Sequence, residues 1–501
     1  MLLEIHGHSS KHSTCSSAPP LELVRQARAK ALQGIIITEH HYLWSDEELL
    51  TLRREAEVEN HFLILAGQEV ETDVGHLLVY GASRSIEGGL PVAELRKRHP
   101  EAALVLAHPY RDGREVQPEL LMGPCLDGVE IFSGNHSVRE NCRGLRDWHR
   151  FKFTATGGTD IHAKRQGDLY PTQFDHPVRD IGGVAAEIKA GRCRPFFKEI
   201  PKSGASLEVT EITIGTKGED ELRPRIIFRK YDSRQKWEKA ERAFGIMKEI
   251  YRHGFDAGPF RVPTPIDREP ETLTLIEQGL RGKSLFEKLK LAGPAGGREF
   301  VELSARWLAR LHNLRLRVTP LEKCMEEEPA RLERYVKHFS QIKHAMTEAA
   351  GRIMDEVRAR GLRIIASSPE SVVQCHGDYH PKNIFIGQDM AEDGTTQFVS
   401  AIDFESSHIA PRAFDAGCFL AQYENQLYPI PRLLESCPGE IFLQAYLGAS
   451  ENLPGEFLSQ VSVYRARADL SIASYLIAVG KGESDDLKRV MRDAEKALSA
   501  A

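Results

Sequence analysis

Two short motifs constrain this chain most. His6-Gly7-His8 near the start and Asp160-Ile161-His162 far downstream each place residues i and i+2, both of metal-ligating type, on one face of a strand end. Between and around them lie seven short apolar runs: Leu2–His6, Gly34–Thr38, Phe62–Glu69, His76–Tyr80, Ala103–His108, Gly128–Phe132 and Phe153–Thr156. Helical candidates separate them, at Pro20–Leu32, Ser45–Glu59, Pro91–Arg98, Ser137–Arg150 and Val178–Ala190. This alternation predicts an α/β domain with a parallel sheet or barrel, and seven strands suit a barrel. His40, Glu69, His108 and Glu130 stand at run ends and His76 opens a run, so in a barrel these groups would share one mouth. Of the 20 histidines, 13 precede residue 200, which a random surface distribution would not produce.

Neutral imidazoles with carboxylates suit Zn, Mn or Fe. The eight cysteines are scattered and form no C-x-x-C pair, so neither a thiolate zinc site nor a disulfide framework is expected. The candidate ligands are too many for one ion. A carboxylate such as Glu69 can bridge, so two or three divalent transition ions are expected. Such ions lower the pKa of bound water towards ~7 and clamp phosphoryl oxygens, which points to hydrolysis of a small-molecule phosphate ester. A single strand-end histidine such as His76 is as readily a hydrogen-bonded structural residue; the weight lies in the set.

The segments EIHGHSS, TEHH, GQEVET, GHLLVYG, AHPYR, DGVEIFSGN and GGTDIH resemble the PHP (polymerase and histidinol phosphatase) domain over residues 1–198. The resemblance implies a distorted seven-stranded β/α barrel with a trinuclear metal centre. Matched position by position, it makes His6, His8, His40, Glu69, His76, His108, Asp160 and His162 ligands. The family often carries an Asp or His shortly after the first histidine pair. Here His12 sits one residue early, as a candidate ligand, with Ser13 and Cys15 beside it. Arg111, Lys164 and Arg165 follow strand-end turns and are candidate substrate-phosphate cations.

The stretch 199–206 mixes Pro, Gly and Ser and is expected to be a linker to a second domain, 207–501. There, His376-Gly377-Asp378-Tyr379-His380-Pro381-Lys382-Asn383 follows the apolar run Val372–Cys375. Its H-x-D-x-x-x-x-N spacing is that of a kinase catalytic loop, with Asp378 as the base at the acceptor hydroxyl and Asn383 on Mg²⁺. Asp403, which closes the run Phe398–Ile402, stands where a second magnesium-binding carboxylate is needed.

HGDYHPKNIF, AIDFE, LTLIEQGLRGKSL and RWLARLHNL together resemble the aminoglycoside phosphotransferase and choline kinase-like family. The resemblance implies a bilobal α+β kinase-like fold, with an N-lobe at about 207–282 and a C-lobe at about 283–501. It further implies that ATP, or another NTP, is the phosphoryl donor, with adenine near Glu277–Gly279. Lys230 is the expected phosphate lysine and Glu241 its ion-pair partner, while His312 and Asp415 are expected to be structural. A standard Gly-rich loop is missing between 207 and 231.

With 501 residues, 41% hydrophobic and 28% charged, the chain is expected to be globular and multidomain. A net charge of −6 gives no field for long nucleic acid. No apolar run reaches the ~20 residues of a spanning helix, and Glu4, His6 and His8 fall where a signal peptide carries its apolar core, so a cytoplasmic location is expected. The leading expectation is a fusion of a metal-dependent phosphoesterase with a small-molecule kinase. Two alternatives stand beside it: a kinase-like half that only senses a nucleotide or metabolite, and a barrel acting as a nucleotide phosphodiesterase.

Overall fold

The computed structural model describes residues 1–58, 61–164, 169–204, 207–216, 224–292, 294–391 and 394–501. The chain packs as two compact units, Met1–Lys230 with Ile276–Arg281, and Tyr231–Leu275 with Gly282–Ala501.

In the first unit, seven strands form where the apolar runs predict them: β1 (Leu2–Leu3), β2 (Gly34–His40), β3 (Leu63–Thr72), β4 (Gly75–Tyr80), β5 (Ala103–Leu106), β6 (Gly128–Ser133) and β7 (Ala155–Gly158). Strands β2 to β7 make one six-stranded sheet in sequence order. It is mixed, because β4 runs antiparallel to both β3 and β5 while the other pairs are parallel. Ile35, Ile36 and Ile37 are all fully buried, as expected of a strand covered on both faces.

Strand β1 is only two residues long. It pairs with β8 (Thr172–Phe174), which pairs in turn with β9 (Cys193–Pro195). The chain beyond β1 nevertheless bonds on two sides. Glu4 bridges Ile35 of β2, and Gly7 bridges Ile161 just after β7. The sheet is therefore curled, with residues 4–8 held between its first and last strands. Of the distorted seven-stranded β/α barrel expected here, the structure shows a curled, half-barrel sheet, mixed rather than parallel because β4 runs antiparallel to both its neighbours.

Helices Pro20–Ala29, Asp46–Glu55, Val92–Arg98, Val138–Phe151 and Ile181–Lys189 appear near the predicted positions. Ser45 and Ser137 each close a full capping box, with Glu48 and Glu140 respectively, which fixes the start of two of them.

The expected linker is a correction. Glu199 to Gly204 lie inside β10 (Phe197–Gly204), which pairs antiparallel with β11 (Leu207–Ile214) from Phe197↔Ile214 to Gly204↔Leu207. Pro201 is tolerated because β10 is an edge strand, where a missing N–H costs no ladder bond. Strand β12 (Arg225–Tyr231) follows β11 in the same sheet.

The second unit is mostly helical. Helices Leu321–Gln341, Thr347–Ser367, Ala413–Leu427, Phe457–Ala478 and Asp485–Ser499 surround a core that includes Leu332, Phe339, Ile353, Leu470 and Met491. Among them run a two-stranded sheet, Val372–Cys375 with His408–Pro411, and an antiparallel pair, Ile384–Ala391 with Gly394–Ala401. The segments expected to carry phosphoryl-transfer chemistry lie on the turns of these strands. Among the described residues no helix is long and apolar enough to cross a membrane.

Candidate metal centre and candidate phosphotransfer site

Register assembles the first site. In the parallel β2–β3 ladder His40 lies opposite Glu69, and the Gly7–Ile161 bridge sets His6 and His8 beside Asp160 and His162. Glu69 is the hub. Its Oε2 lies 3.3 Å from His6 Nε2, 3.0 Å from His8 Nε2 and 3.5 Å from His40 Nδ1. Its Oε1 lies 2.7 Å from His76 Nδ1 and 3.0 Å from His108 Nε2. Asp160 Oδ1 lies 3.2 Å from His6 Nε2, 3.1 Å from His8 Nε2 and 3.3 Å from His162 Nδ1. Eight of the nine expected metal ligands of this unit therefore meet at one place.

The exception is His12. Its Nε2 lies 3.0 Å from Glu48 and its ring stacks on Tyr42 at 3.8 Å, so a helix-capping glutamate holds it away from the cluster. Cys15 takes the vacated side: its sulfur falls within ligand range of His8, His40 and His162. The sequence signal was Cys15 itself, near the first histidine pair.

The donor set fits divalent ions. His6, His8, Glu69 and Asp160 offer converging atoms, all buried, and Asp160 Oδ1 makes no hydrogen bond although two imidazole nitrogens stand near it. Imidazole nitrogens and carboxylate oxygens that converge in this way are the donor types and spacing a divalent cation takes. Outer groups fix the inner ones. Glu130 accepts from His6 Nδ1 and from the His108 backbone N–H at 2.8 Å. Ser13 donates to Glu39 at 2.5 Å and lies 3.4 Å from His8 Nδ1. Asn135 donates to Asp160. Gly158 permits the approach, since a Cβ there would lie 2.1 Å from Glu130 Oε1 and 2.6 Å from His6 Cβ.

Electrostatics agree with the geometry. Burial alone would lower His6, but the carboxylates of Asp160, Glu130 and Glu69 hold it well above its ordinary value. Burial would likewise raise Glu69, yet His6 and the hydrogen bond to His108 bring it well below the carboxylate range. His40, where burial dominates, falls to about 4.

A cavity of about 430 Å³ opens beside His76 and His108 and is lined by Arg111 and Arg114. Arg111 is one of the candidate cations, and Arg114 stands beside it on the same wall. Lys164 is exposed and its ammonium forms no ion pair among the described residues; Arg165 lies outside them.

The second site centres on the turn after Val372–Cys375. Asp415 accepts from the backbone N–H of His376 at 2.6 Å and of Gly377 at 2.8 Å. His312 Nε2 lies 3.1 Å from the same carboxylate, and its Nδ1 lies 2.7 Å from the Tyr446 hydroxyl. Gly377 has φ +85°, and a Cβ there would lie 2.0 Å from Ser406 O, so this turn requires glycine.

Asp378 emerges from the turn part-exposed and lines a cavity of about 760 Å³. Asn383 Nδ2 donates to the Asp378 carbonyl at 3.1 Å and lies 3.3 Å from its Oδ2, which leaves the Asn383 side-chain oxygen for a cation. Asp403 adopts a left-handed backbone, φ 66°, after Ile402, whose N–H donates to Asn383 O at 2.9 Å. Burial would raise Asp378, but His380, 3.5 Å away, keeps it below the usual carboxylate value. It is therefore charged at neutral pH.

The expected nucleotide-binding pair is differently engaged. Lys230 is exposed and pairs with Glu208 at 3.3 Å, while Glu241 accepts from Arg268. Glu277 is bound by Arg229 at 2.7 Å, and Gly279 N–H donates to Arg225 O at 2.8 Å. Arg229 and Lys230 are consecutive on β12, so their side chains leave opposite faces of the strand.

The model of the phosphotransferase enzyme family matches residues 199–453, half of the chain. The chain belongs to this phosphotransferase enzyme family. As a family member it carries the expected loop, HGDYHPKN, inside the matched span. No curated protein matches it. Among solved structures it is similar to the ethanolamine kinase of Plasmodium vivax, at 17% identity over 60% of this chain and 82% of that one, with a TM-score of 0.39. A spectinomycin phosphotransferase shows 14% identity over 61% and 93% of the two chains, with a TM-score of 0.37. A choline/ethanolamine kinase family protein from Mesorhizobium loti shows 15% identity over 60% and 91%, with a TM-score of 0.38.

Proposed function

We propose that this phosphotransferase family member joins two phosphoryl chemistries: nucleotide-dependent transfer to a small-molecule hydroxyl and metal-dependent hydrolysis of a phosphate ester. The transfer reading rests on Asp378, a charged carboxylate placed on a glycine-dependent turn at the edge of a large cavity, within the family's matched span. There the Asp378 carboxylate takes the proton of the acceptor hydroxyl as its oxygen bonds to the terminal phosphorus. The bond from that phosphorus to its bridging oxygen breaks, and the nucleoside diphosphate leaves. Asn383 and Asp403 would hold Mg²⁺, which when bound neutralises phosphate charge. ATP as donor, with contacts near Glu277 and Gly279, and a kinase-like domain over 207–501 belong to the same proposal.

The hydrolytic reading rests on the convergence of His6, His8, Glu69 and Asp160. With Zn, Mn or Fe bound there, the ions would activate water and grip phosphoryl oxygens. His40, His76, His108 and His162 complete the donor shell, and Arg111 would receive the ester's phosphate from the adjoining cavity. A PHP-like phosphoesterase over residues 1–198 accounts for this arrangement best.

Separate variants test both halves. His8→Ala or Asp160→Ala abolishes hydrolysis of a generic phosphate ester and spares acceptor-dependent ATP consumption, and Asp378→Ala does the reverse. Loss of both activities in one folded single variant contradicts independent sites. Nucleotide binding without acceptor-dependent turnover in the wild-type protein favours a sensor instead.

A further inference from the structure

The walls of the cavity at Asp378 carry an excess of positive charge. Six lysine and arginine side chains line it against four carboxylates, one of them Asp378 itself. The remaining three carboxylates are already engaged. Glu328 is held in a two-pronged pair by Arg467, at 2.5 and 3.0 Å, and also meets Arg331 at 3.5 Å. Glu327 stands between Arg242 at 3.9 Å and Arg331 at 3.8 Å. Glu405 pairs with Lys239 at 3.3 Å. Two glutamates thus serve three arginines, and Arg334, exposed on the same wall, forms no ion pair among the described residues. An amine entering here would meet like charge without a free carboxylate other than the one needed as base.

A second, independent observation concerns His408, which also lines the cavity. Its Nδ1 lies 2.8 Å from Ser406 O, and since a carbonyl only accepts, Nδ1 carries the proton. Burial keeps the imidazole below its ordinary value, so the ring is neutral and Nε2 is an acceptor. That Nε2 is buried and has no hydrogen-bond partner. A buried acceptor without a donor is costly, and a substrate hydroxyl is the group that satisfies it.

We propose that the acceptor of this site is a polyhydroxylated molecule bearing an anionic group, phosphate or carboxylate, with the anion against the arginine wall near Arg334 and a hydroxyl on His408 Nε2. The inference rests on the phosphotransfer reading of the same cavity and names its substrate class. Guanidinium groups suit both oxyanions, because their planar forks match two oxygens at once.

The test uses the full chain with Mg²⁺ and a non-hydrolysable ATP analogue, and calorimetry as the readout. Probes come in matched sets of one sugar or polyol as its phosphonate, its uronic or aldonic acid, its neutral form and its amino form; none offers a phosphate ester to the N-terminal site. We expect an anionic member to bind at least ~10-fold more tightly than its neutral and amino congeners, a difference of about 1.4 kcal/mol. The phosphonate and carboxylate arms separate the two anions. Arg334→Glu, at an exposed position, should erase that preference while nucleotide affinity stays unchanged, and His408→Phe should weaken the hydroxyl-bearing probes of every charge alike. Tighter binding of the amino form, equal binding of all forms, no binding of any, or an unaltered preference in Arg334→Glu overturns the proposal. Failure of the phosphotransfer reading looks different: anionic probes bind, and no acceptor of any charge consumes ATP in a manner dependent on Asp378.

Discussion

Glu130 accepts a hydrogen bond from His6 Nδ1 at 2.9 Å, and this single contact turns the opposite ring nitrogen towards Glu69 and Asp160. Both residues are fully buried. Glu130→Gln keeps the shape but loses the charge that supports the imidazole. Metal affinity should fall by about 10–100-fold, as for other partners of metal-bound histidines, measured by titration of chelated protein with Zn²⁺ or Mn²⁺. Unchanged affinity would remove Glu130 from the supporting shell.

His12 and Cys15 make opposite predictions. His12→Ala should leave metal content and ester hydrolysis within about twofold of wild type, since its partner is Glu48 and surface pairs contribute little. Cys15→Ala should lower bound metal, because its sulfur shares a site with His8, His40 and His162. Elemental analysis of both variants decides between them.

Asp415 holds the turn that bears Asp378 from beneath. Asp415→Ala strands two backbone N–H groups and His312 in a fully buried place. Such a loss costs about 3–5 kcal/mol. Chemical denaturation should show it in the unfolding transition of the phosphotransferase region. Asp415→Asn, which retains one acceptor, should cost less.

The buried imidazoles His312 and His376 set a pH window. Burial depresses both below the ordinary value. The folded state therefore binds fewer protons than the unfolded chain as pH falls below the unfolded value of ~6.5. Their contribution to stability is complete above that pH and declines below it. Asp415, also held low, extends the decline once pH passes below ~4. Amide exchange at His376 and Gly377, corrected for the intrinsic rate, should accelerate between pH 6.5 and 5; constant protection would contradict the assignment.

Much of this was legible in the residue string because strand ends announce themselves. An apolar run such as Gly34–Thr38 followed by Glu39-His40 fixes both the strand and the side chain at its tip, and β2 extends to include His40. The turn joining Asp378 to Asn383 was legible for a similar reason, since the two residues are local in sequence and meet in the structure. Partners set by distant packing were not. Nothing near His12 indicates that Glu48, the cap of a later helix, will claim it. Nothing beside Lys230 or Glu241 indicates that Glu208 and Arg268, respectively, will pair with them. Pro201, Gly204 and their neighbours have linker composition, and only the complementary run Leu207–Ile214 makes them a strand. The acceptor Nε2 of His408 depends on which carbonyl its other nitrogen meets, a matter of rotamer rather than residue type.

The link from His312 to Tyr446 has a consequence for biosynthesis. The N-terminal cluster of histidines and carboxylates has its last member at His162, so its parts can gather while most of the polypeptide is still being translated. The turn bearing Asp378 gains its full support only after residue 446 has left the ribosome. Nascent fragments ending earlier would thus carry a gathered histidine–carboxylate cluster and an unbraced Asp378 turn.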